Sequence, residues 1–509
     1  MLIACISAFS TTKTRIISTT AMTMVSKKST VLPSIISKET KKRLVLVGGG
    51  HAHVQVIKGL NHASRPQNLD VILIDLTDHP CYSGMVPSLL SGIYSPEETL
   101  IELRPLASWS GIQFIQDRVI DIDTANKIVI TAGKQRISFD AISIDIGSTS
   151  RGLIDIPGAK KYCIPTRPIS ELVRRVELAT IALVENSYKQ RPVNVIVVGG
   201  GAAGIELSMS ILGRWKPIVG NIKVTLLNSY NGLFPDETPV NREALIHQME
   251  ERGICIVNDA KVDHVDQNSL KLQSGECLEF THCLWATGAR SHTLSSSLQK
   301  NGLAISKNGW IRVNEYFQSM SHEYVFAAGD CCTMEIPGGR SSPPKAGVYA
   351  VRAGPILIEN LTRFLSSKCG DDNSPSLKAY VPQGDFLKLL ACGDGKALGF
   401  RFGIPIYGRW VFQLKDAIDR SFMDLFRKEN LPELIEGQPY DTSQYDDSGD
   451  DRPSPLSSID AAILLQRTDD DVDFRQAWNV LKDMAENDNY RDKVLHHVGV
   501  PLMDKTNVQ

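Results

Sequence analysis

The stretch RLVLVGGGHAHVQVIKGL, residues 43–60, decides how the rest of the chain is read. Four apolar residues, Leu44, Val45, Leu46 and Val47, run into Gly48, Gly49 and Gly50 and then straight into a helical pattern. A short continuous apolar run is the signature of a strand buried on both faces. Glycines allow the tight turn that follows. The helix beyond it presents unpaired N–H groups and a partial positive charge, which suit a phosphate. The same arrangement returns with Gly199 standing 151 residues after Gly48, in VIVVGGGAAGIELSMSI at residues 195–211. One such turn is a weak sign. Two, each between strand and helix, imply two dinucleotides held by one chain.

The two turns differ in detail. The second keeps the full G-x-G-x-x-G spacing through Gly199, Gly201 and Gly204, with Glu206 two residues on. The first has His53 where a third glycine would let helix and strand approach, so its helix is expected to stand slightly off. The strand LDVILID ends in Asp75, whose carboxylate can accept both ribose hydroxyls of an adenosine. The corresponding strand VTLLN ends in neutral Asn228, which can bond a ribose without repelling a 2′-phosphate. NADH is the first expectation there, and NADPH stays open.

Working outward, the first unit reads as strand, helix over 51–61, strand over 69–75, and a Pro/Gly-punctuated loop over 79–90. Short alternating segments at 112–115, 118–123, 127–131 and 136–139 predict a small antiparallel sheet. A return strand over 141–146 follows. The second unit repeats the plan, with a helix over 202–212, strands from 254 to 280 and a closing CLWATG ending at Gly288. YVFAAGD, residues 324–330, then brings the chain back to the first sheet, and a helix over 345–365 follows. The predicted class is α/β, with two Rossmann-like dinucleotide-binding units, the second inserted in the first, plus a C-terminal strand-helix region. The expected divisions are 43–165 with 285–366, 166–284, 367–430, and an acidic linker with short helices over 431–509.

Composition sets the outer limits. Hydrophobic residues at 42% and charged residues at 22% over 509 residues fit two or three globular domains. A net charge of −2 gives no reason to expect a nucleic-acid partner. No apolar run reaches the length of a spanning helix, which leaves attachment to a membrane surface open. The first 43 residues hold eight Lys or Arg, fifteen Ser or Thr and one acidic residue, Glu39. Residues 1–42 therefore read as a transit peptide or a disordered tail, with the mitochondrion as first destination and a plastid as the alternative.

Other chemistry is weighed and set aside. The ten cysteines are scattered, with no zinc spacing. Cys81 has no partner at the spacing of a redox-active pair, and adjacent Cys331 and Cys332 would close only a strained ring. His51 and His53 point apart on a helix start, so no metal is expected. The run Asp469, Asp471, Asp473 lacks the glycine and closing Glu of a calcium loop, with Phe474 and Val480 in those places. The segment GRWVFQLKDAIDRSFMDLFRK predicts an amphipathic helix. Trp410, Val411, Leu414, Ile418, Phe422 and Leu425 form its apolar face, and Lys415, Asp416, Asp419, Arg420 and Asp424 the polar one.

Together, VGGGHAHV, CYSGMVPSLLSG, PKAGVYAVRAGP and GRWVFQLKDAIDRSFM make the chain resemble the two-dinucleotide-binding-domain flavoproteins of the pyridine nucleotide-disulfide oxidoreductase superfamily. Within it, the resemblance is to type II NADH dehydrogenase-like proteins and to the N-terminal half of selenide, water dikinase fusions. It covers about residues 43–426. It implies FAD at Gly48, Gly49, Gly50, His51 and Asp75, with Gly329 and Asp330 at the ribityl chain and Lys345 and Ala346 facing the flavin. It implies NADH or NADPH at Gly199, Gly201, Gly204 and Asn228, with Gly288 at the junction between the units. Glu206 is the candidate catalytic residue, a proton relay near the nicotinamide–flavin contact, or else a structural hydrogen bonder. The implied activity is an NAD(P)H oxidoreductase passing electrons to a quinone-like acceptor. A selenium or sulfur acceptor, or a slow flavin redox sensor, are the alternatives. The amphipathic helix over 409–427 is expected to dock on the protein's own core, with a homodimer contact or peripheral attachment to a membrane surface as the other possibilities.

Overall fold

A computed structural model describes residues 41–186, 191–235, 237–338, 341–367, 376–382, 387–401 and 404–434. Residues 1–40 of the expected transit segment over 1–42, the acidic linker, the short C-terminal helices and the Asp469–Asp473 run lie outside the described residues, while Lys42 already belongs to the first strand. Seventeen elements position the site. In chain order these are β1 (Lys42–Val47), α1 (His51–Gly59), β2 (Leu69–Asp75), β3 (Gln113–Gln116), β4 (Ala141–Ile144), β5 (Ile164–Pro165), β6 (Val193–Val198) and α2 (Ala202–Val219). There follow β7 (Ile222–Leu227), β8 (Cys255–Val257), β9 (His282–Trp285), β10 (Val325–Ala327), α3 (Gly347–Ser366), β11 (Lys388–Ala391), β12 (Ala397–Arg401), β13 (Ile404–Gly408) and α4 (Arg409–Asp424).

Two five-stranded parallel sheets carry the two glycine turns. The first has the order β10-β4-β1-β2-β3 and the second β8-β7-β6-β9-β5. The registers match: Val47 lies beside Ile74 and Ile144, and Val198 beside Leu227 and Trp285. β10 joins the first sheet after the whole second sheet has been built, so the chain leaves and returns.

One strand belongs elsewhere than the sequence suggested. The segment expected at 112–115 in the antiparallel sheet is β3, which runs parallel to β2 at the edge of the first sheet. The helix Leu103–Ser110 supplies the crossover, and a parallel strand needs one. The antiparallel sheet keeps only Val119–Asp123, Ile128–Thr131 and Arg136–Ser138. Likewise the expected loop over 79–90 contains a short helix, Val86–Leu90, and α2 runs to Val219 rather than ending near 212.

Helix α3 crosses α1 at close range because two glycines remove side chains from the contact. A Cβ on Gly59 would stand 2.7 Å from Ile358 Cδ1, and one on Gly354 would stand 2.5 Å from the Gln55 amide. Gln55 Nε2 donates to the Val351 carbonyl at 2.8 Å, fixing the crossing.

The C-terminal sheet β11-β12-β13 and helix α4 join the two halves. Leu390, Leu398 and Phe400 pack in the core of the second unit, while Val411, Phe412, Phe422 and Met423 pack in that of the first. The polar face expected on α4 needs correction. Lys415 and Asp419 are buried, not solvated, and Lys415 Nζ bonds Asp419 Oδ2 at 2.6 Å. One helical turn separates them, so the pair enters the core with its charges opposed. Helical periodicity reads charge as exposure and does not register that internal neutralisation.

Candidate functional site

At the first turn, Gly48 has φ +91°, and a Cβ there would stand 2.3 Å from the Asp145 carbonyl oxygen. Only glycine fits both constraints. Gly49 N–H donates to Asp75 Oδ2 at 2.6 Å, and Thr77 N–H donates to Asp75 Oδ1 at 2.8 Å. Asp75 therefore ties the end of β2 to the turn, and burial raises its carboxyl above the usual range in spite of those donors. Among the described residues, none accepts from the N–H of Gly50 or His51. Two orphaned donors at a helix start are what a pyrophosphate needs.

The two histidines part company as expected. His53 is fully buried, with Nδ1 at 2.6 Å from the Gly48 carbonyl and Nε2 at 2.8 Å from Ser143 Oγ. It fills the space below the turn where a glycine was anticipated. His51 turns the other way, edge-on to Tyr82 at 5.2 Å and 3.5 Å from a Cβ position on Gly347. It thus lies at the start of α3. Burial depresses both imidazoles to about 4, so both are neutral near pH 7. Among the described residues no His, Cys, Asp and Glu group could hold a metal ion.

Asp330 closes the same end of the sheet. Its Oδ2 accepts from Ser148 Oγ at 3.0 Å and faces Arg167 at 3.3 Å. Gly329 before it has φ +69°. Ala346 caps α3 in an extended conformation. Lys345 turns back to donate to the Cys332 carbonyl and lies 4.7 Å over the Trp310 ring. Cys331 and Cys332 are buried free thiols pushed up by desolvation.

At the second turn, Gly199 has φ +125° and a Cβ there would meet the Ala286 carbonyl oxygen at 2.4 Å. A Cβ on Gly204 would come within 1.8 Å of the Gly199 carbonyl oxygen. Gly201 faces open space. Asn228 is buried at the end of β7, and its Nδ2 donates to Tyr230 O, Gly232 O and Asn258 Oδ1 at 2.8–3.0 Å. Its amide protons are thus committed to the following turn, a role the strand pattern alone could not show. The Gly288 carbonyl accepts from Arg151 N–H at 2.9 Å, tying together the two crossings of the chain between the units.

Glu206 stands one turn into α2 and accepts from the Ala391 N–H of β11 at 2.9 Å. Desolvation raises its carboxyl to about 7, with the Lys415 ammonium acting against the rise. Beyond it lies a polar chain that sequence reading missed. Lys415 Nζ donates to Asp419 and, at 2.7 Å, to the Gly84 carbonyl. Asp419 is hydrogen bonded to Tyr82, whose ring packs 4.8 Å from Phe422. Burial alone would lower the Lys415 ammonium, but Asp419 and Glu206 hold it above its usual value. The chain of groups runs from the second glycine-turn helix, through α4, to Tyr82 and His51 beside the first. The one sign available in the sequence was the Lys415/Asp419 spacing of four.

The sequence profile of the pyridine nucleotide-disulphide oxidoreductases matches residues 42–354. The ferroptosis suppressor protein 1 of Xenopus laevis is 26% identical over 380 residues, 72% of this chain and 90% of that protein. The type II NADH:quinone oxidoreductase of Haemophilus influenzae is 24% identical over 343 residues, 60% of this chain and 77% of that protein. Among solved structures, the NDH2 of Plasmodium falciparum in complex with NADH superposes with a TM-score of 0.64 at 15% identity. That match covers 77% of this chain and 99% of the other.

Proposed function

Because the chain belongs to the pyridine nucleotide-disulphide oxidoreductase family, we propose that it is an FAD-dependent NADH:quinone oxidoreductase. The observation that carries this reading is the pair of glycine turns in equivalent registers, bridged by the buried Glu206–Lys415–Asp419–Tyr82 chain. FAD belongs to the first turn, where a carboxylate ends β2, orphaned N–H groups open α1 and Asp330 stands across. NADH belongs to the second, where Gly201 leaves the backbone approachable. The relatives named for NADH and quinone support the choice of donor and acceptor.

The chemistry supplied by bound FAD and NADH is hydride transfer from the nicotinamide and delivery of two electrons to the quinone. Quinone plus NADH plus one proton gives quinol plus NAD⁺, so one proton must come from elsewhere. Glu206, with its carboxyl near 7, can hold that proton at working pH and release it. Lys415, hydrogen bonded onward to Asp419, keeps a charge beside it that eases the loss. Glu206→Gln should therefore leave flavin reduction by NADH close to wild type while quinone turnover drops about tenfold or more. Because the acid form does the work, wild-type turnover should fall as pH rises through about 7, and the Gln variant should lose that limb. Equal losses in both half-reactions, with the limb intact, would refute the assignment.

A quinone with a long tail is held in a bilayer, which supports a station at a membrane surface. No helix among the described residues is long and apolar enough to cross one. The basic, Ser/Thr-rich stretch over 1–42 supports targeting to an organelle, with the mitochondrion as our assignment.

A further inference from the structure

The first glycine turn contains a carboxylate that its counterpart lacks. Asp145 follows β4 and is buried, with its side chain under the start of α1. Its Oδ2 accepts from the N–H groups of Ala52 at 3.0 Å and His53 at 3.3 Å. These belong to the first turn of α1, whose own N-cap residue, Gly50, has no side chain to offer. A Cβ on Gly50 would strike the Asp145 carboxylate at 2.3–2.4 Å, and one on Gly329 would strike its Oδ1 at 2.5 Å. Asp145 thus lies wedged between the GGG turn and the Gly329-Asp330 turn. In the second unit the equivalent residue is Ala286: Ile144 pairs with Val47 as Trp285 pairs with Val198, and each is followed by the residue in question. The helix start of α2 is therefore uncharged where that of α1 holds an acid.

Three carboxylates, Asp75, Asp145 and Asp330, converge on the terminus that our functional reading gives to a pyrophosphate. A pyrophosphate brings two negative charges to a buried site, and an ionised Asp145 would oppose them across a low-dielectric gap. We propose that Asp145 is the residue that sets FAD occupancy: ionised, it caps α1 itself, and neutral, it lets α1 hold the pyrophosphate, so FAD binds together with one proton. The proton comes from solvent and stays on the Asp145 carboxyl. No bond of the cofactor changes.

The neighbouring groups point the same way. Burial brings Asp145 to about 7, with the His53 and Ala52 N–H groups opposing and Asp330 and Asp75 adding to the rise. His51 and His53, on α1, are neutral in this range. The Cys331 and Cys332 thiols are pushed well up and stay neutral. The cations nearby are committed elsewhere, Arg167 to Asp330 and Lys345 to the Cys332 carbonyl. Asp145, lodged between the two turns, is thus poised to change charge near neutrality.

The inference rests on FAD occupying the first turn, and the test separates the two. The full chain, freed of flavin, is titrated with FAD between about pH 6.5 and about pH 8.5, following quenching of flavin fluorescence. Wild-type affinity should fall about 25-fold over that range, because the free protein must take up a proton that it has lost. Asp145→Asn, neutral at every pH, should bind with a flat profile and more tightly than wild type at the alkaline end. Calorimetry of the wild type in two buffers of different ionisation enthalpy should count about one proton taken up per FAD at about pH 8.5. That count does not depend on any variant folding. FAD binding with a flat wild-type profile and no proton uptake would overturn the role of Asp145 alone. Failure of the wild type to bind FAD at about pH 6.5 would overturn both this role and the flavin assignment.

Discussion

The chain carrying Gly48→Val should purify without flavin. Gly48 sits at φ +91°, a region a β-branched residue cannot enter without strain of about 1–3 kcal/mol. The added Cβ would also stand 2.3 Å from the carbonyl oxygen of Asp145 and 2.7 Å from its carbonyl carbon. Those are backbone atoms at the end of a central strand, held by the Asp145 N–H to Val47 carbonyl bond of 2.8 Å, so they cannot swing aside as a side chain would. The turn must move instead, taking with it the Gly49 N–H to Asp75 bond and the start of α1. Flavin absorbance per protein should drop to less than about a tenth of wild type, since a displaced anion-binding turn loses its charge-assisted contacts together. The second half should still bind NADH, read by calorimetry. Retention of normal flavin content would mean that the cofactor lies elsewhere.

Gly204→Ala should produce the complementary protein, yellow but barely reducible. One methyl group is added, at a point 1.8 Å from the Gly199 carbonyl oxygen and 3.4 Å from Leu226 Cδ1. Helix α2 must back away from β6, and overpacking of this kind costs about 1–3 kcal/mol. The greater loss is positional. Hydride transfer needs the two rings within about 3–3.5 Å, and a shift of about 1 Å costs about 100-fold. Flavin reduction by NADH should therefore slow by about that factor, with flavin content near wild type and the melting temperature lowered by several degrees. A variant reduced at the normal rate would show that Gly204 does not set the approach of the nicotinamide.

The fold was largely legible because its main signals are local. Each glycine turn lies between a strand and a helix contiguous in sequence, and the internal repeat doubles the signal. Asp75 was readable for the same reason, as the residue that ends the continuous apolar run over 71–74. The misreadings come from partners far apart in the chain. β3 has the composition of an antiparallel strand, and only the crossover through Leu103–Ser110 makes it parallel. Lys415 and Asp419 pattern as a solvated face until the segments carrying Gly84 and Glu206 close over them. Asn228 was assigned by its place at a strand end, while its hydrogen bonds go to Tyr230, Gly232 and Asn258. The acceptor position of Glu206 toward Ala391, 185 residues on, has no local trace. Asp145 did have one: set beside CLWATG, the string SIDIG shows an acid where the other half has Ala286.

The most direct test of the central claim is anaerobic stopped-flow spectroscopy of the purified chain at the flavin absorbance band. NADH should bleach the bound flavin in a single turnover, and a short-chain ubiquinone should then restore the colour much faster than air-saturated buffer does. Flavin that NADH leaves oxidised, or that quinone restores no faster than oxygen, would contradict the account.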